Sequence, residues 1–293
     1  MQNCNYTLNI RGRLFPLDRL RVMGILNATP DSFYAASRTT TEEAIRQRAR
    51  QIVAEGGSMI DVGACSTRPG GEVASEAEEI RRLRIALPAV RREVPDAVIS
   101  VDTFRPAVAR LAVEELGADI INDVTGGTGI PLAQGGDTSF GDSDAMLRTV
   151  AQLHVPYVLT SQQPTVERAL LFFAQRIEQL RAYGAADVIL DPGFGFGKNI
   201  QIDGMASREG DYEHLRHLDR LMVFGLPILV GLSRKRMARE PLGITPDESL
   251  VATTALHAIA AVKGASILRV HDVREAVQVA ILSEKLLKVK SEE

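Results

Sequence analysis

Short runs of buried-type residues alternate with longer amphipathic segments along nearly the whole chain. The apolar runs at 22–27, 59–63, 98–102, 119–124, 157–160, 188–191, 228–232 and 267–271 are rich in Val, Ile and Leu. Such near-continuous apolarity belongs to strands covered on both faces. Between them, the segments 41–55, 76–93, 105–116, 144–153, 165–183, 212–224, 246–263 and 272–288 carry helical spacing. Eight strand–helix alternations in one chain predict an α/β protein of the (β/α)₈ TIM-barrel class rather than an open doubly wound sheet. Residues 6–16 read as an extra N-terminal strand or hairpin closing the bottom of the barrel. Residues 199–211, polar and Gly-containing, read as a mobile surface insertion between the sixth strand and its helix. No linker or low-complexity stretch divides the 293 residues, so one domain is expected, with the barrel over about 22–290.

Composition narrows the partners. With 45% hydrophobic and 24% charged residues, disordered, collagen-like and coiled-coil classes drop out. A net charge of −3 argues against a nucleic-acid or membrane-surface binder. The basic residues divide into 28 Arg and six Lys, and the Arg fork matches phosphate and carboxylate. An Arg-favouring composition accounts for the bulk of them. Cys4 and Cys65 read as free thiols of a reducing compartment. No signal-type run precedes residue 13, and no window approaches about 18 unbroken apolar residues, so a soluble cytoplasmic protein is expected.

Polar residues fall where such a barrel places chemistry, at the C-terminal strand ends. Asn27, Asp102, Asn122, Asp123, Asp191, the run from Ser233 to Arg236, Arg269 and His271 all occupy such ends, and Asp61 lies within the second strand. Asp102, Asn122 and Asp191 offer acceptors and an amide, a set suited to the edge of a pterin-like or guanine-like ring. Lys235 adds a donor and positive charge. Lys198 is either a second such donor or a solvated surface lysine. Arg68, Arg269 and His271 suit a diphosphate, and Asn27 could ligate a Mg²⁺ touching its oxygens. Arg269 could instead form an internal salt bridge with Asp61 or Asp272. The run 193–197 is no GxGxxG fingerprint, and no His/Cys set has zinc spacing.

The ordered motifs resemble those of dihydropteroate synthases. Residues 23–33 (MGILNATPDSF) match the first signature, and IDVG at 60–63 with STRPG at 66–70 match the second. SVDT at 100–103, IND at 121–123, LDPGFGFGK at 190–198, SRK at 233–235 and RVHDV at 269–273 follow in family order. The resemblance implies joining of 4-aminobenzoate to 6-hydroxymethyl-7,8-dihydropterin diphosphate, giving 7,8-dihydropteroate and diphosphate, with Mg²⁺. It implies that Asp102, Asn122, Asp191 and Lys235 hold the pterin. Asn27, Thr67, Arg68, Arg269 and His271 would hold diphosphate, with Asn27 on the metal. Phe33, Pro69, Phe194, Lys235 and Arg236 would form the aminobenzoate site. Asp102, Lys235, Arg68 and Arg269 would carry the catalysis. Loops 28–38 and 65–75 would close over the site, and a two-fold homodimer is implied, through late helices such as 250–262; burial of that stretch within the monomer reads equally well. After the fifth strand the family shows a Met-His-Met-type run, whereas this chain has Thr160-Ser161-Gln162-Gln163. A non-catalytic pterin-binding paralogue and a pterin-dependent methyltransferase are the rival readings.

Overall fold

The computed structural model describes residues 6–28, 38–65, 73–129, 144–196 and 207–287. A hairpin comes first: β1 (Thr7–Ile10) pairs antiparallel with β2 (Arg13–Pro16). Its two-residue turn places Arg11 and Gly12 at φ 52° and 75°. Two positive φ values in a two-residue loop give the backbone twist that hairpin strands favour.

The strands β3 (Arg21–Asn27), β4 (Met59–Gly63), β5 (Val98–Asp102), β6 (Ile120–Asp123), β7 (Tyr157–Thr160), β8 (Val188–Asp191), β9 (Leu229–Val230) and β10 (Ile267–Val270) form one parallel sheet. Its order is β8-β7-β6-β5-β4-β3-β10-β9, and a parallel bridge from Leu190 to Ile228 joins the two edges. The expected barrel is therefore present. Its seam is thin, because β9 has only two residues where five were expected.

Strand alternation divides the core in two. Met23, Met59, Val98, Ile120, Val158, Ile189, Leu229 and Ile267 point inward near the strand starts. Leu8, Ile10 and Leu17 of the hairpin region pack onto this layer, so the hairpin does close the barrel bottom. The alternate residues, such as Ile60, Val62, Ile121 and Leu159, point outward against Ile45, Ile52, Leu83, Leu87 and Phe173 of the helical shell.

That shell contains α1 (Arg38–Ala54), α2 (Glu76–Glu93), α3 (Pro106–Glu114), α4 (Ala145–Leu153), α5 (Val166–Ala182), α6 (Ser207–Arg216), α7 (Arg236–Arg239), α8 (Leu250–Val262) and α9 (Val273–Leu287). Capping sets the starts of α2 and α5: the Ser75 and Thr165 hydroxyls accept from Glu78 N and Arg168 N. The segment expected as one helix over 212–224 divides into α6 and a 3₁₀ stretch, Leu218–Phe224. Leu218, Leu221 and Phe224 recur every third residue against the core, the period at which 3₁₀ side chains align. Residues 207–211, read as part of an insertion, instead start α6. Residues 199–206 lie outside the described residues.

Candidate active site

The inward alternation that builds the barrel floor also builds the site. Two residues above Met59, Ile120, Val158, Ile189 and Ile267 stand Asp61, Asn122, Thr160, Asp191 and Arg269. Asp102 and Asn27 stand four above Val98 and Met23. A polar layer thus sits on an apolar one, at the strand ends.

Arg269 ties this layer together. Its Nε donates to Asp61 Oδ2 at 2.6 Å and its Nη2 to Asp102 Oδ2 at 2.9 Å. The expected alternative pairing with Asp61 is therefore present, while Asp272 is taken by Arg234 in two contacts at 3.0 and 2.7 Å. Burial alone would lower the Arg269 pKa, but the Asp61 and Asp102 charges outweigh it and raise it. Asp102 is pushed up to about 7, because burial disfavours its charge more than Arg269 restores it, and the Asp61 charge adds to the rise.

Asn122 Nδ2 donates to the same Asp61 Oδ2, at 3.0 Å. Asn122 Oδ1, Asp61 Oδ1 and Thr160 Oγ1 are buried and have no hydrogen-bond partner among the described residues. Buried polar atoms without partners are costly, and at the mouth of a barrel they suit ligand donors.

Asp191 and Lys235 frame the Gly-rich turn. Asp191 Oδ1 accepts from Gly193 N at 2.8 Å. Burial raises the Asp191 pKa, and Lys235 and the Gly193 amide oppose that rise. Lys235 Nζ donates to the Phe194 carbonyl and lies 4.9 Å from the centre of the Phe196 ring. The Phe194 side chain does not line an opening as expected: it is 1% exposed and packed in the outer core. Its backbone, not its ring, faces Lys235. Arg236, also expected at the aminobenzoate site, pairs with Glu240.

His271 lies near the site through Ser233, whose Oγ accepts from His271 N at 3.1 Å and lies 3.2 Å from Nδ1. Arg48, on α1, donates to the His271 carbonyl at 2.6 Å and so fixes this turn. Sequence reading missed Arg48, which resembles any other helix arginine. It offered Asp61 only as an alternative salt-bridge partner of Arg269, not as the partner of Asn122. Arg105 joins the β5 end to α2: it pairs with buried Glu79 and donates to the Ala74 carbonyl at 2.6 Å. Phe33, Thr67, Arg68, Pro69 and Lys198 lie outside the described residues.

In the altered segment, Ser161 N donates to the Asp191 carbonyl at 2.8 Å, and Gln162 Nε2 donates to the Val124 carbonyl. Its backbone thus joins the β8 end, and the Gln162 side chain joins the β6 end. The Asn27 amide oxygen is the protein donor expected for a metal, and Oδ1 sits 3.4 Å from where a Cβ on Gly63 would lie. No group of three or more His, Cys, Asp or Glu that could hold a metal exists among the described residues. This sparse oxygen set fits a Mg²⁺ that keeps waters and arrives with a diphosphate.

Comparison with known proteins gives the same direction. Residues 23–271 match the family described as pterin binding enzyme. The chain is 37% identical over 274 residues to the dihydropteroate synthase of Streptococcus pyogenes, covering 90% of this chain and 94% of that one. It is 34% identical over 296 residues to that of Escherichia coli K12, covering 96% of each. Among solved structures, Xanthomonas albilineans dihydropteroate synthase with 4-aminobenzoic acid superposes with a TM-score of 0.81 at 35% identity. That superposition covers 97% of this chain and 99% of the other. A polar layer of carboxylates and an amide above an apolar barrel floor, with the family match across it, leads to one conclusion: the chain belongs to the dihydropteroate synthases, within the pterin-binding enzymes.

Proposed function

We propose that the chain joins 6-hydroxymethyl-7,8-dihydropterin diphosphate to 4-aminobenzoate, releasing diphosphate and forming 7,8-dihydropteroate. The observation that carries this reading is the inward polar layer of Asp102, Asn122, Asp191 and Arg269, in which Asp61 holds Asn122 and Arg269, and Arg269 holds Asp102. Asp102, Asn122 and Asp191 present acceptors to the amino and N–H edge of a pterin, and Lys235 presents a donor to its carbonyl or ring nitrogen. Arg269 and His271, with Thr67 and Arg68 by motif position, hold the diphosphate. Phe33, Pro69 and the Lys235–Arg236 turn border the aminobenzoate.

In the reaction, the C–O bond to diphosphate breaks first and its electron pair leaves with the anion. The electron-rich pterin bears the positive charge, which ionised Asp102 stabilises, and Arg269 stabilises the departing anion. The arylamine lone pair then forms the C–N bond, and its proton is lost to solvent. No strong base is needed for so weakly basic an amine. Mg²⁺ held by Asn27 supplies charge neutralisation of the diphosphate when bound.

The assembly is proposed as a two-fold dimer. Val251 and Ile259 of α8, with Ile281, Leu282 and Leu286 of α9, are exposed although α8 and α9 pack together. Large apolar residues left exposed on two neighbouring helices support an interaction surface there. No helix among the described residues is long and apolar enough to cross a membrane.

The test is turnover of purified protein with pterin diphosphate, 4-aminobenzoate and Mg²⁺. Release of diphosphate with formation of dihydropteroate is expected. Tight pterin binding without product would favour the non-catalytic paralogue, which the altered 160–163 segment motivates. Methyl transfer to or from a bound pterin would favour the methyltransferase reading.

A further inference from the structure

We infer that Asp61 is a positioning residue that fixes Asn122 as a hydrogen-bond acceptor toward the pterin, and so sets which ring edge the site accepts. The inference rests on the pterin reading above. An asparagine amide is ambiguous by itself, since either end can face a ligand. Here the ambiguity is removed by one neighbour. Asp61, fully buried on β4, receives Asn122 Nδ2 at 3.0 Å and Arg269 Nε at 2.6 Å on the same oxygen. The Asp61 oxygen that receives Arg269 is an acceptor, so the amide nitrogen faces it and Oδ1 faces away.

That Oδ1 is buried and has no partner among the described residues. It therefore needs a donor, and a ring N–H or exocyclic amino group supplies one. Arg269 donates to that same Asp61 oxygen, while its other arm reaches Asp102. One carboxylate oxygen thus orients the amide and anchors the cation.

A double-mutant cycle on the full chain tests this, with 6-hydroxymethylpterin as the calorimetric probe. D61N keeps the volume but offers Asn122 a group that can donate as well as accept, so the amide is free to turn. D61N alone is expected to weaken pterin binding at least tenfold. In an N122A background the same change is expected to cost less than about threefold, because the group it orients is gone. Equal losses in both backgrounds would overturn the inference, since a general structural role adds independently. If D61N does not fold, the wild-type protein carries the test. The Asn122 side-chain amide, identified by its loss in N122A, should show one proton protected from exchange; free exchange of both would overturn the assignment. Wild-type protein that binds no pterin overturns the site reading itself, and does so before any variant is made.

Discussion

Asp102 faces opposite demands from folding and from chemistry. Its carboxyl is held up to about 7, so between about pH 4 and 7 the folded chain keeps a proton that the unfolded chain has released. Its contribution to stability is therefore complete at low pH and is lost as pH rises through about 7. Chemistry needs the ionised form, which stabilises the cationic pterin. We therefore expect kcat/KM for the pterin diphosphate to fall as pH drops below about 7, and D102N to lose both most of the activity and that acid limb. A wild-type profile in D102N would remove Asp102 from the step. Sequence reading placed Asp102, Asn122 and Asp191 at strand ends, because end position follows from where apolar runs stop. It did not identify the Asp61–Asn122 contact or the role of Arg48, because these depend on which residues lie across the barrel.

The turn after β8 shows the same dependence at the level of an element. Gly193 has φ 72°, and a Cβ there would lie 1.9 Å from the Ser161 carbonyl oxygen. No side chain fits this approach, so the turn that seats Asp191 against the Gly193 amide requires glycine. Gly193→Ala is expected to lower unfolding free energy by about 2–4 kcal/mol and to weaken pterin binding at least tenfold. Denaturant melts and calorimetry read the two effects, and unchanged binding would separate the turn from the site. The Gly-rich run was legible in the sequence as a loop, but not what it approaches. Phe194 shows why: the family motif implied a place at the aminobenzoate site, whereas the fold turns its ring into the core and its carbonyl toward Lys235. The 3₁₀ stretch at Leu218–Phe224 differs from expectation because a three-residue apolar repeat satisfies either helix until packing selects one.

For the molecule as a whole, the hairpin and the late helices have distinct tasks. Leu8 is fully buried against the barrel floor. Leu8→Ala is expected to cost about 2–5 kcal/mol in a denaturant melt while leaving pterin affinity within twofold, since the floor lies below the polar layer. The exposed α8–α9 face makes a different prediction. Leu282→Lys with Leu286→Lys should shift sedimentation from dimer to monomer; a monomeric wild-type chain would exclude this surface as the interface. The barrel, the closing hairpin and the set of polar strand ends follow from local pattern, because short apolar runs and helical periods repeat eight times along the chain. Tertiary structure alone decided which of those polar groups meet. The barrel brings β4, β5, β6 and β10 onto one axis, and there Asp61, Asp102, Asn122 and Arg269 become a single hydrogen-bonded cluster. Residues separated by up to 208 positions share it, and no local pattern encodes a contact of that range.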